Sequence, residues 1–265
     1  MCGILGVATT NSSLDVVRNL FDLFSDQQSR GINGAGICIG DKSKLWRFRS
    51  YSPYRLFAVY NITFWNSIRS GDRVLVHHRY PTSTPNEPKF NHPIQNEDGT
   101  VMVIHNGVIS NDSKLHKELR KNHTFETEEK GKFTDSEVLV HLFEDERAKD
   151  GDVIAALKRV AERTTGSFAF ALVIAGDTNI YLVRHSNPII ISKDDDGNHY
   201  FSSELHKESK LTKVCEVGTS EIGVLTAAGY EKKATFGSAP IDYAVDWTEF
   251  DDNGYPQWKG KWSWR

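Results

Sequence analysis

The most restrictive stretch of this sequence runs from Ser167 to Ala175, nine residues without a charge. An apolar run of that length is far short of a membrane span and reads as a strand covered on both faces, so the chain needs a layered fold. Further strands are predicted at 3–10, 45–49, 74–80, 101–104, 178–183, 188–192 and 199–203, and a glycine-dense turn at 28–36 feeds another. Leu14, Val17, Leu20, Phe21 and Phe24 recur at helical spacing and predict a helix over 13–28. Three more helices are predicted at 112–121, 135–148 and 152–164. Strands on either side of a helical middle fit a layered α/β protein built on mainly antiparallel sheets.

Composition narrows the function classes. With 32 Lys and Arg against 35 Asp and Glu, the net charge of −3 gives no basic field for nucleic acid. The start of the chain lacks the basic and apolar regions of a secretory signal, and no run approaches the roughly 20 apolar residues of a spanning helix, so no membrane partner and a cytoplasmic location are expected. One domain is expected over 1–240, followed by an aromatic-rich tail at 241–265 with Trp247, Phe250, Tyr255, Trp258, Trp262 and Trp264. Cys2, Cys38 and Cys215 are odd in number and widely spaced, which predicts neither a disulfide framework nor a cysteine metal site. His77 and His78 are adjacent on a strand and point to opposite faces, against a shared metal ion. No metal and no cofactor are expected.

The chemistry-bearing residues sit in short blocks. Removal of Met1 would make Cys2 the N-terminal residue and place a thiol beside an α-amine able to take its proton, nucleophile and base in one residue; for a lone Met-Cys the alternative is a small buried side chain starting a strand. Arg79 leaves a strand for the proline-rich loop 81–88, a placement suited to a bidentate hold on a carboxylate, or simply a solvated loop. Asn106-Gly107, read at a strand end, is a hairpin turn or a pair of donors for a tetrahedral oxyanion. Asp135 opens a predicted helix, as its cap or as the partner of a ligand ammonium. The acidic turn 194–198 lacks the length and terminal Glu of a calcium loop and reads as a hairpin.

Seven blocks carry a resemblance in order: MCGILG at 1–6, QSRGINGAG at 28–36, HHRYPT at 77–82, NHP at 91–93, HNGVISN at 105–111, TDSEVLVHL at 134–142 and GSFAFALV at 166–173. Over roughly 2–230 the chain resembles the class II glutamine amidotransferases of the N-terminal-nucleophile hydrolase superfamily, most of all the glutaminase domain of the glucosamine-6-phosphate synthases. The resemblance implies a four-layer αββα sandwich of the α+β class and hydrolysis of the L-glutamine side-chain amide to glutamate and ammonia through a Cys2 thioester. It assigns the oxyanion hole to Asn106 and Gly107, the substrate carboxylate to Arg79 and the substrate ammonium to Asp135. Thr82 and His92 line the same site by position, and Arg30 and Gly31 are expected to hold the N-terminus and its neighbouring backbone. The chain departs from the pattern at Tyr80, Pro81, Ser83 and Thr84, in the loop over the glutamine site, and at Asn33 and Gly34.

No sugar-isomerase or phosphoribosyltransferase motif follows residue 230, so delivery of ammonia to an acceptor on another polypeptide is expected, with the tail as its docking segment or as an edge hairpin. Two other functions fit the same blocks: a catalytically silent regulatory or scaffold subunit, and an amidohydrolase of another γ-glutamyl compound.

Overall fold

A computed structural model describes residues 2–10, 14–27, 30–53, 68–81, 84–205 and 209–237. Met1, Thr82 and the 241–265 tail lie outside them. The strands in chain order are β1 (Gly3–Ala8), β2 (Gly34–Gly40), β3 (Leu45–Ser50), β4 (Arg73–Arg79), β5 (Ile94–Gln95), β6 (Val101–Ile109), β7 (Gly166–Ile174), β8 (Ile180–Arg184), β9 (Ile190–Lys193), β10 (His199–Ser202), β11 (Thr212–Glu216), β12 (Glu221–Thr226) and β13 (Gly229–Thr235). The helices are α1 (Leu14–Asp26), α2 (Asp112–Leu119), α3 (Asp135–Arg147) and α4 (Val153–Arg163). Two sheets form, ordered β11-β9-β10-β1-β4-β2-β3 and β13-β12-β8-β7-β6-β5. Every strand pairing within them is antiparallel.

The period-2 alternation of a strand builds the layers. In β1, Ile4 and Ala8 face the second sheet, while Leu5 and Val7 face α1 beside Val16, Leu20, Leu23 and Phe24. In β7, Ala169, Ala171 and Val173 face the first sheet, whereas Phe168, Phe170, Leu172 and Ile174 pack under α3 and α4 with Leu139, Phe143, Leu157 and Val160. Three apolar layers therefore separate four structural ones: α1, sheet, sheet, then α2 to α4. This is the αββα sandwich, and the charge-free run at 167–175 is the strand that needs cover on both faces.

All four predicted helices form within two residues of their expected ends. β11 and β13 had no apolar signature: Thr212, Lys213 and Val214 are exposed, and β13 reads GYEKKAT with three exposed charges, whereas β12, reading EIGVLT and buried through Leu225, carries an apolar run that the sequence reading passed over. The 194–198 turn is a hairpin between β9 and β10, closed by the Asp194 N–H donating to the Asn198 carbonyl at 3.2 Å.

Candidate active site

The same alternation collects the candidate residues at one end of the inter-sheet layer. Cys2 precedes β1 and has the parity of Ile4; His77 and Arg79 have the parity of Leu75 in β4; Asn106 has the parity of Met102 and Ile104 in β6. β1 and β4 both contact β6 across the gap. His78, of opposite parity, faces away and lies against the Phe24 ring with centroids 3.7 Å apart.

Cys2 is half-buried, and its Sγ receives the Tyr80 N–H at 3.4 Å. Arg30 Nε donates to the Cys2 carbonyl at 3.1 Å and reaches Glu204 at 3.5 Å through its guanidinium. Gly31 sits so close to the Arg79–Tyr80 peptide that a Cβ there would meet the Arg79 carbonyl carbon at 2.6 Å. The Arg30-Gly31 pair thus contacts the Cys2 carbonyl and the peptide that hydrogen-bonds the Cys2 sulfur. Burial pushes the Cys2 thiol up from its ordinary value; the Tyr80 amide and the Arg79 charge pull the other way, and Asp135 opposes them.

Arg79 ends β4 almost fully buried. Its guanidinium donates to the Pro85 carbonyl at 2.7 Å, to Asn91 Oδ1 at 3.2 Å and to Thr84, and lies 5.9 Å from the Phe90 ring centre. Asn91 is itself fixed by donating to the Ser50 carbonyl at 2.7 Å. Among the described residues no carboxylate pairs with Arg79. The result is a buried cation, its basicity lowered by burial, held in one orientation by neutral acceptors.

β6 runs unbroken through Asn106 and Gly107, a correction to the strand-end and hairpin readings. Gly107 has φ +138°, and a Cβ would meet the Ser167 carbonyl at 1.9 Å, so glycine is required there. The ladder bonds at the two ends of β6, Ser110 N–H to Thr165 and Ala175 N–H to Thr100, set its even residues toward β7. The odd N–H groups therefore point to the opposite edge, where β5 reaches no further than Val103. Ile109 N–H on that edge is taken by Asp135 Oδ2 at 2.9 Å, and the Gly107 N–H lies on the same edge. Asn106 has its carbonyl taken by Asn187 Nδ2 at 2.6 Å, yet its own side-chain Nδ2 is buried with no partner among the described residues.

Asp135 is the first residue of α3 rather than its cap, which is Thr134, and neither side chain caps the helix. The carboxylate turns instead to β6 and stands 4.0 Å from His105 Nδ1. His105 faces the helical layer and bonds Ser136 Oγ at 2.9 Å, while its carbonyl lies 3.1 Å from His77 Nε2. His92 Nδ1 is 2.8 Å from that same His77 nitrogen. A lone pair on His77 Nε2 would face the carbonyl, so this nitrogen carries the proton and His92 accepts through Nδ1. Burial drives all three imidazoles below their ordinary value and keeps them neutral. Sequence reasoning missed Tyr80, whose backbone is what matters, and Asn187, which no motif marks; Asn91 lay inside a quoted block without a role.

Residues 81–208 match the glutamine amidotransferase domain family. The glutamine–fructose-6-phosphate aminotransferase of Halobacterium salinarum is 29% identical over 226 residues, 85% of this chain and 35% of that protein. The Thermococcus kodakarensis enzyme of the same name is 28% identical over 97% of this chain and 42% of its own length. The chain thus spans about two fifths of the curated relatives it matches. Among solved structures, the glutamine phosphoribosylpyrophosphate amidotransferase of B. subtilis superposes with a TM-score of 0.70 at 20% identity, covering 88% of this chain and 49% of that one. A structure described as the allosteric regulatory enzyme of purine biosynthesis gives 0.72 at 20% identity, over 91% and 50%. The fold, the ordered blocks and these relatives together make this chain similar to the class II glutamine amidotransferases.

Proposed function

We propose that this chain hydrolyses the side-chain amide of L-glutamine with Cys2 as nucleophile. Removal of Met1 frees the Cys2 α-amine. Because burial keeps the thiol protonated at neutral pH, the amine accepts its proton as sulfur attacks the γ-carbonyl. The tetrahedral oxyanion is held by Asn106 Nδ2 and the Gly107 N–H. The C–N bond breaks, the α-ammonium returns the proton to the leaving nitrogen, and ammonia departs. Water then attacks the thioester, releasing glutamate and restoring the thiol. Arg79 takes the substrate carboxylate and Asp135 its ammonium, with Thr82 and His92 lining the pocket.

The observation that carries this reading is the buried Asn106 side-chain amide, whose desolvation is already incurred and whose hydrogens await an acceptor. The test is intact mass before and after exposure to a glutamine analogue with a reactive diazoketone at the γ-position. A Met1-free chain carrying one adduct, absent in Cys2→Ala, is expected; a trimmed chain that stays unlabelled overturns the reading in favour of a silent subunit. Comparing turnover of glutamine with that of γ-glutamyl amides separates the remaining alternative. Ammonia is delivered to an acceptor site on another polypeptide in this proposal, with 1–240 as the glutaminase domain and 241–265 as the docking tail. Deleting the tail then abolishes partner recovery while turnover persists, and unchanged recovery overturns the docking role.

A further inference from the structure

On the far side of α3 from the glutamine site, three separate segments converge. Glu97 comes from the turn between β5 and β6, His123 from the turn after α2, and His141 and Glu144 from one face of α3. One ligand atom from each lies within 4.8 Å of all the others. His123 Nδ1 is 3.3 Å from Glu97 Oε1 and 3.8 Å from Glu144 Oε2; His141 Nδ1 is 3.4 Å from Glu97 Oε2 and 3.1 Å from Glu144 Oε2. Ligands held tetrahedrally at about 2.0–2.1 Å from zinc stand roughly 3.3–3.4 Å apart, so four donors gathered within 4.8 Å of one another need only small side-chain adjustments to close on one ion.

The outer contacts orient each group toward the same point. His123 Nε2 lies 3.1 Å from Asp145 Oδ1, an arrangement that places the ring proton there and leaves the Nδ1 lone pair turned toward two carboxylates. His141 Nε2 faces Glu137 Oε1 at 3.7 Å, again a carboxylate behind the ring. Glu144 Oε1 accepts from Asn96 Nδ2 at 2.7 Å and Glu97 Oε1 from the Thr124 N–H at 2.9 Å. An imidazole lone pair facing carboxylate oxygens is repulsive until a proton or a metal cation stands between them, so the cluster is built to hold positive charge. Carboxylates behind ligating histidines are the usual outer shell of a zinc site.

The geometry points to a divalent transition-metal site at Glu97, His123, His141 and Glu144, filled by zinc. Two carboxylates neutralise the ion, and four protein ligands make the site structural rather than catalytic. The metal ties the β5–β6 turn and the end of α2 to α3, the helix whose first residue is Asp135. The assignment is independent of glutamine chemistry.

The test strips the full chain with a chelator, reloads it with zinc, removes excess, and counts metal per chain. One retained zinc and a raised Tm are expected. The double variant Glu97→Gln, His123→Gln keeps the buried His141 and so preserves the fold, checked by circular dichroism; its zinc affinity falls by at least about 100-fold, the scale reached by loss of outer-shell partners alone. Cobalt substitution reads the donor set: tetrahedral visible bands without thiolate charge transfer are expected. A folded chain that retains no zinc, a double variant that retains as much as the parent, or a thiolate band from the cysteines would each overturn the assignment.

Discussion

Two buried histidine groups flank α3, and they respond to burial in opposite ways. His77, His92 and His105 sit beside the N-terminus among carbonyls, a hydroxyl and the Arg79 cation, and burial leaves them neutral. At His141 burial pulls the same way, but Glu137, Glu144 and Glu97 outweigh it and carry the imidazole up to about 9. The difference teaches that depth alone does not set the charge of a histidine; the carboxylates within reach do. One group stays neutral and polar beside the proposed glutamine pocket. The other draws positive charge, a proton in the metal-free chain and the proposed ion when metal is supplied.

The comparison breaks most visibly in turnover. Asn106→Ala, on the neutral side, lowers kcat for glutamine by about 10²–10³ without unfolding the chain; steady-state kinetics check this, and the Glu97→Gln, His123→Gln variant should show no loss of that size. Arg79→Lys keeps the charge but loses the fork that Thr84, Pro85 and Asn91 hold in place, and raises KM for glutamine by roughly 10-fold or more with a smaller change in kcat. A KM unchanged in that variant would remove Arg79 from carboxylate binding.

A pH series sharpens the contrast. Because the folded-state pKa values of His77, His92 and His105 are depressed, the stability they contribute is present above the ordinary histidine value near 6.5 and is lost as pH falls below it, where the unfolded chain takes up protons and the folded chain does not. Arg79 reinforces that loss and Asp135, close to His105, partly offsets it. Tm should therefore decline from pH 7 to pH 5, and His77→Gln should flatten the decline. The smallest effect is expected in the helical layer away from both groups: Asp152 caps α4 by accepting from the Ile154 and Ala155 N–H groups, and Asp152→Ala should cost about 1 kcal/mol, a few degrees in Tm, with turnover intact.

The layers were legible in the sequence because the strands that carry them are apolar on both faces, as in GILGVA at β1 and SFAFALVI in β7. β11 and β13 were not, because they lie at sheet edges with exposed charges along them; β12, paired on both sides and buried, had a legible apolar run that went unassigned. Among the proposed site residues, Cys2, Arg79, Asn106 and Asp135 were singled out because they lie in short ordered blocks of sequence. Continuation of β6 through Asn106-Gly107 was not foreseen, because that dipeptide is a turn signal unless a neighbouring strand claims its carbonyls. The histidine and carboxylate group on α3 was hidden for another reason. His141 and Glu144 share a helical spacing, but Glu97 and His123 arrive from elsewhere in the chain, and no linear pattern records such a meeting.

The position of β1 at the centre of its sheet has a consequence for the order of events in synthesis. Both of its neighbours, β4 and β10, are made after it, and the second is complete only at Ser202. At a translation rate of about 5–20 residues per second, roughly 10–40 s separate emergence of the first strand from closure around it. During that interval the amino end of the chain is not yet enclosed by the finished sheet. The trimming of Met1 that the proposed chemistry requires has that interval available to it on the growing chain.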